Sequence, residues 1–403
     1  MHHCSPLPPA LILGEGLNAL AVARSLGRRG VSVMAIDPGR RSISSESRYL
    51  KVIPFPHTGN RGEELLHVVH RVSDQVDSPL VLIPTGDPDV RFLSHYRHRF
   101  PSRCKLVIAS HEAVETCLDK WAFAQWAERE GFPVPKTSQP NSIAEVKALS
   151  RDIRYPCLYK PSYSPDWEHP DFSSVHGRVK MIRVDSPSEL VQTYEALGRF
   201  RQGVLVQEMI EGPETALVDL YACYSDKGSP RSLFAIRKQR TFPLDGRGPG
   251  ASVRSHDSST VRALGVAVLD RLRYQGPGAV CFKFLPSGDG VRIVEVNARL
   301  PLHHGLASFC GIDLAWIAYC EAVGITVETS DTWPADVLWL STRADLRAAY
   351  SYWRQGDLTL GGWLRSLTGP RVFGDWAADD PRPFLSELRG IARDAARRLH
   401  RGT

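Results

Sequence analysis

The sequence predicts an α/β protein that opens with a doubly wound parallel domain and closes with a helical extension, and three observations predict it. Residues 10 to 40 read as strand, glycine turn, helix and second strand, a βαβ start. Two further apolar runs, Leu80 to Pro84 and Lys105 to Ile108, supply more strands, so residues 1–115 make a Rossmann-like parallel α/β domain. The end of the chain, from Phe384 to Arg401, sets Leu385, Leu388, Ile391, Ala395 and Leu399 on one side of a helix and Arg389, Arg393 and Arg397 around the other.

Composition bounds the function. The chain has 403 residues, enough for two or three domains, and is 42% apolar and 23% charged, close to a globular average. No uninterrupted apolar run is long enough to span a bilayer, and residues 1–10 lack the basic start and apolar core of a signal peptide. The expectation is a soluble protein without a membrane role. The eight cysteines are scattered without a Cys-x-x-Cys pair and mostly sit among apolar neighbours, which points to a reducing cytoplasm and no structural zinc. A net charge of +6, spread along the chain, does not by itself imply nucleic acid.

The elements follow in order. Gly14, Gly16 and Ala19 match a dinucleotide-binding turn loosely, with Asp37 at the separation of a ribose-binding acid; many parallel domains use such a turn only for close packing. A helix starts at Asp119 and Lys120 and stops at Gly131. Tyr155 to Lys160 is a strand, residues 162–178 read as a mobile polar loop, and a helix from Pro187 to about Phe200 leads into a strand from Gly203 to Ile210. Arg237, Lys238, Arg240, the glycine-rich passage 246–250 and Arg254 make a basic segment before a helix at 258–273.

The most informative stretch is Val291 to Arg299. Glu295, Asn297 and Arg299 alternate with Val294, Val296 and Ala298, so one face of a strand is apolar and the other presents a carboxylate, an amide and a guanidinium. A self-satisfied Glu–Arg pair is the plain alternative. The amide argues against it, because Glu295 and Asn297 together offer hard oxygen ligands suited to magnesium, and Arg299 suits a carboxylate or phosphate.

Asp119-Lys120, Tyr155 to Pro161, Val206 to Glu214, Arg237 to Arg240 and Glu295-x-Asn297-x-Arg299, in that order, resemble the ATP-grasp superfamily, and within it the predicted carboxylate–amine ligases that include D-aspartate ligase. The resemblance implies a bilobed α+β nucleotide-binding unit over 116–325, its lid about 155–210, and a C-terminal extension over 326–403. It implies ATP and one or two Mg2+ ions as cofactors. It places Lys120 and Lys160 on the phosphates, Gln207, Glu208, Met209 and Ile210 at the hinge beside adenine, and Glu214 on the ribose. Glu295 and Asn297 become metal ligands, with Arg299 and Arg240 on the substrate side and Lys180 a further phosphate contact. The implied reaction joins a small-molecule carboxylic acid, amino acids among the candidates, to an amine through an acyl phosphate, with a homodimer as the family's habit. His303 and His304 find no zinc partners and read as supporting residues.

One departure stands out. The resemblance expects a second magnesium carboxylate on the preceding strand, where this chain has Cys281 and Lys283. A thiol is a poor ligand for a hard cation, and Lys283 repels one, so Lys283 is the candidate to replace part of the missing charge. Two alternatives stay open: a degenerate grasp that binds nucleotide without turnover, and a nicotinamide oxidoreductase resting on Gly14 to Asp37 alone.

Overall fold

The computed structural model describes residues 6–401 apart from 37–41, 56–60, 168–169, 178, 245–247 and 289. Asp37, Gly246 and Arg247 lie outside the described residues. The first strands, β1 (Ala10–Leu13), β2 (Val33–Ile36), β3 (Lys51–Ile53), β4 (Leu80–Pro84) and β5 (Cys104–Leu106), form a parallel sheet in the order β3-β2-β1-β4-β5. β1 and β4 are buried throughout because helices cover both faces, which is why their sequences are unbroken apolar runs. Winding reverses between β1 and β4, and the turns after these two strands meet there: the Thr85 N–H bonds the Leu13 carbonyl at 2.8 Å. Gly14 is required for that approach. It has φ +105°, and a Cβ on it would lie 2.2 Å from the Thr85 hydroxyl oxygen.

β6 (Thr137–Ser138), β7 (Cys157–Pro161), β8 (Ile182–Val184) and β9 (Val204–Glu208) build a small antiparallel sheet ordered β6-β9-β7-β8. It has its own core, with Tyr159, Leu190, Tyr194 and Val204 among its buried residues. The stretch 162–178, expected as a loop, instead carries a helix at Pro170–His176. Trp167 and Phe172 anchor it: both are buried, and their rings stack with centroids 4.7 Å apart. These two aromatics are too far apart to show a period, so the polar residues between them dominate the reading.

The largest sheet has seven strands ordered β14-β13-β10-β11-β12-β15-β16: β10 (Leu217–Tyr224), β11 (Pro230–Thr241), β12 (Gly250–His256), β13 (Gly276–Phe284), β14 (Val291–Asn297), β15 (Leu338–Leu340) and β16 (Arg371–Phe373). The C-terminal extension is therefore not only helical. It adds β15 antiparallel to β12 and β16 parallel to β15, each of three residues and too short to show alternation in sequence. Along β10, Val218, Leu220 and Ala222 face one core with the helix residues Val261 and Val268, while Tyr221 and Cys223 face another. Asp219 shares the parity of Tyr221 and Cys223.

Candidate active site

Glu295 on β14 pairs directly with Cys281 on β13, and Cys281 pairs with Asp219 on β10, so the three stand in a row across neighbouring strands on one face. Asn297 lies opposite the small Ala279. The alternation expected from sequence holds for Glu295 and Asn297 but not for Val294. The register shifts beside Cys281, Phe282 pairs with Ile293, and Val294 turns into the cleft lined by Glu295, Lys160 and Gln207. A bulge adds one residue to the strand and re-aims the side chain next to it.

Lysines surround Glu295. Lys120 heads the helix Lys120–Arg129, which Asp119 caps by accepting from the Trp121 and Ala122 N–H groups at 2.8 and 3.1 Å; its ammonium donates to the Ser164 hydroxyl at 2.7 Å. Gly131 ends the chain's turn after that helix with φ +77°. Lys160, the buried lysine of β7, donates to the Gln207 side-chain carbonyl at 2.7 Å, and the Gln207 amide donates to Thr137 at 2.7 Å. Burial pushes the Glu295 carboxyl up, but Lys120, Lys160, Lys238 and Lys180 outweigh it and hold the group below its ordinary value. Burial, reinforced by Lys120 and opposed by Glu295, lowers Lys160 to about 8. The geometry is a basic basin in which lysines outnumber the carboxylates of Glu295 and Asp219, suited to a polyanion.

Arg299 donates to the Asp87 carboxylate at 2.6 Å and to the Asn297 side-chain oxygen at 3.3 Å. Asp87 begins the helix Asp87–His95 just after β4, at the carboxyl end of the parallel sheet where winding reverses. Asp87 was not read from sequence as a site residue. Its signal was there: an acid at the end of a buried strand, in the turn Thr85-Gly86-Asp87. Asp219 was also missed, whereas Lys238 was read only as part of the basic segment that begins at Arg237. The signal for Asp219 was a single carboxylate inside the otherwise apolar run Leu217 to Cys223. It is buried, its Oδ2 lies 3.9 Å from the Lys238 ammonium, the Cys281 thiol faces the carboxylate, and Oδ1 has no hydrogen-bond partner among the described residues.

Other expected residues are placed differently. At the hinge, the Glu208 and Met209 N–H groups bond the Lys136 and Pro156 carbonyls at 2.9 and 3.3 Å. Lys283 does not turn toward Glu295. It donates to the Ile210 carbonyl at 2.7 Å, bracing the hinge instead of replacing the missing metal charge. Glu214 accepts from the Thr241 N–H at 3.1 Å, the Thr241 hydroxyl and the Tyr352 hydroxyl. Arg240 is buried in an ion pair with Asp345 at 2.7 Å and donates to Ser366 at 2.7 Å, so its partners belong to the C-terminal extension and not to the Glu295 basin. Arg254 donates to the Asp336, Ser366 and Thr368 carbonyls at 2.7, 2.9 and 3.0 Å, again holding the extension. His303 is a buried connector between the Tyr221 hydroxyl and the Gly250 carbonyl at 2.9 and 3.0 Å, and burial lowers it to about 3.

Comparison with known proteins fits this geometry. The family described as the carbamoyl-phosphate synthase L chain, ATP binding domain, matches residues 246–330, which hold β13, β14 and Arg299. The chain is 26% identical over 215 residues to the formate-dependent phosphoribosylglycinamide formyltransferase of Saccharolobus solfataricus, covering 52% of this chain and 51% of the relative. Over this region the chain is similar to ATP-grasp proteins. It is also 27% identical over 199 residues to the D-alanine–D-alanine ligase of Marinobacter nauticus, covering 48% of this chain and 56% of that one. The aligned part thus spans about half the length of these ATP-grasp relatives. In fold it is similar to the biotin carboxylase domain of the Hydrogenobacter thermophilus 2-oxoglutarate carboxylase, with a TM-score of 0.61 at 17% identity over 81% of this chain and 72% of that one. Among the described residues, no helix is long and apolar enough to cross a membrane, and no group of three His, Cys, Asp or Glu residues forms a ready metal cage.

Proposed function

We propose that this protein is an ATP-dependent carboxylate–amine ligase that forms an amide or peptide bond and releases ADP and phosphate. The observation that carries the reading is the Glu295 basin, in which four lysines converge on one carboxylate beside Asn297 and Arg299. Four lysines against the carboxylates of Glu295 and Asp219 leave an excess of positive charge that a nucleotide triphosphate neutralises. The donors fit magnesium: carboxylate and amide oxygens are hard ligands, and this ion characteristically takes one or two carboxylates together with phosphate oxygens, so a full protein cage is not needed. Bound there by Glu295 and Asn297, it would neutralise phosphate charge.

Lys160 and Lys120 would hold the phosphates, with Gln207 fixing the Lys160 ammonium by its side-chain oxygen. Glu214 would take the ribose and Ile210, braced by Lys283, would lie along the base. Arg299, steadied by Asp87, would orient the substrate carboxylate for attack on the γ-phosphate. An amine then displaces phosphate from the acyl phosphate. No side-chain nucleophile is required. Similarity to a D-alanine–D-alanine ligase supports an amino acid as one substrate. The nicotinamide alternative loses its main support, because Gly14 is needed for packing against Thr85 and the Gly16 N–H already bonds the Ser42 hydroxyl at 3.0 Å.

The test is ATP cleavage over a panel of carboxylic acids with hydroxylamine as a generic amine, reading hydroxamate. One or more acids should give hydroxamate together with ADP, and Glu295→Gln should cut the rate by roughly 10²-fold or more. ATP binding without cleavage for every acid would instead favour a non-turning-over nucleotide binder.

A further inference from the structure

We propose that Asp219 supplies the second metal carboxylate of this site, moved one strand away from where the ATP-grasp resemblance expects it. The inference rests on the nucleotide and magnesium reading above. The expected position holds Cys281, whose sulfur is a soft donor and a poor ligand for a hard cation. Across the sheet, though, Cys281 is paired with Glu295 on one side and Asp219 on the other. Strands lie about 4.8 Å apart, so the Asp219 and Glu295 backbones are separated by roughly 10 Å, a span their side chains and one or two ions between them can bridge.

Asp219 carries one carboxylate oxygen without a partner among the described residues, while the Cys281 thiol and the Lys238 ammonium face the carboxylate. Asp219 is 6% exposed. A buried carboxylate oxygen left without a donor costs free energy that a structural role does not explain. Its charged neighbour Lys238 stands 3.9 Å from the other oxygen, Oδ2, too far for a hydrogen bond. Cys281 is the spacer. The Asn297 amide donates to its sulfur at 3.3 Å, which turns the Asn297 carbonyl oxygen away from the sulfur, toward the side where the Arg299 guanidinium meets it.

The experiment measures Mn2+ binding by electron paramagnetic resonance in the presence of a non-hydrolysable ATP analogue, with analogue binding in EDTA measured separately. Asp219→Asn is nearly isosteric and should weaken Mn2+ at least about 10-fold while changing metal-free analogue affinity by no more than about 2-fold. Asp219→Cys provides a second, independent readout: a thiolate at 219 should raise the ratio of Cd2+ to Mn2+ affinity by about 10-fold or more, which a merely structural residue would not do. Unchanged Mn2+ affinity in Asp219→Asn, or an unchanged metal preference in Asp219→Cys, overturns the proposal while leaving the nucleotide reading intact. A wild-type protein that binds neither the analogue nor Mn2+ overturns both.

Discussion

At the scale of single residues, Lys160 shows how the fold sets a side chain's chemistry. An ordinary lysine titrates far above neutral pH, but burial in β7 and the nearby Lys120 ammonium bring this one to about 8, with Glu295 pulling the other way. Its folded value lies below its unfolded value, so the unfolded chain binds this proton more tightly. The charge therefore costs stability below pH about 8, and the cost fades as pH rises from there toward the ordinary lysine range. Incoming phosphates reverse the balance by giving the ammonium a counter-charge. At pH 8.5 nucleotide binding should then take up roughly half a proton or more. Calorimetry in two buffers of different ionisation heat would read that uptake, and Lys160→Met should abolish it. Binding without uptake would mean that Lys160 is charged throughout and that the basin is wetter than its burial indicates.

At the scale of elements, the glycine turn after β1 gives a prediction about packing. Gly14→Ala puts a Cβ 2.2 Å from the Thr85 hydroxyl and 2.7 Å from the Asp89 carboxylate, on a backbone with φ +105°. The cost should be about 2–4 kcal/mol, read as a lower urea midpoint. Because Asp87 follows Thr85 closely, the same change should also weaken the Asp87–Arg299 contact and lower kcat more than nucleotide affinity. Element by element, the sequence carried the parallel sheet, the helix at Lys120 and the polar face of β14, because each has a strong period or a sharp cap. It did not carry Asp219. Which strands become neighbours, and in which register, depends on long-range pairing, and β10 meets β13 across more than fifty residues of chain. The same reason hid Asp87, whose partner Arg299 is 212 residues away. The Tyr352 contact to Glu214 was hidden likewise, since an exposed-looking aromatic helix gives no hint of what it covers.

At the scale of the whole molecule, the C-terminal extension is a brace that ties the other parts together. Asp380 forms a buried pair with Arg24 of the N-terminal domain at 3.0 Å, Tyr352 reaches Glu214, and Asp345 accepts from Arg240 at 2.7 Å and from the Trp363 indole at 3.0 Å. Arg240 was expected on the substrate side from sequence, and its place in this brace gives a way to decide between the two roles. Asp345→Ala should destabilise by about 3–5 kcal/mol, because it strands a buried guanidinium and an indole N–H. Replacing both partners with apolar residues, Arg240→Met with Asp345→Leu, should recover most of that loss, since two buried charges removed together leave neither orphaned. Thermal unfolding of Arg240→Met, Asp345→Leu and the double variant closes the cycle. If Arg240 is a brace, the refolded stability of the double variant should come with hydroxamate formation within a few-fold of wild type. If Arg240 touches substrate, the double variant should be stable yet slower by about 10²-fold or more, and the brace reading would fail at that residue.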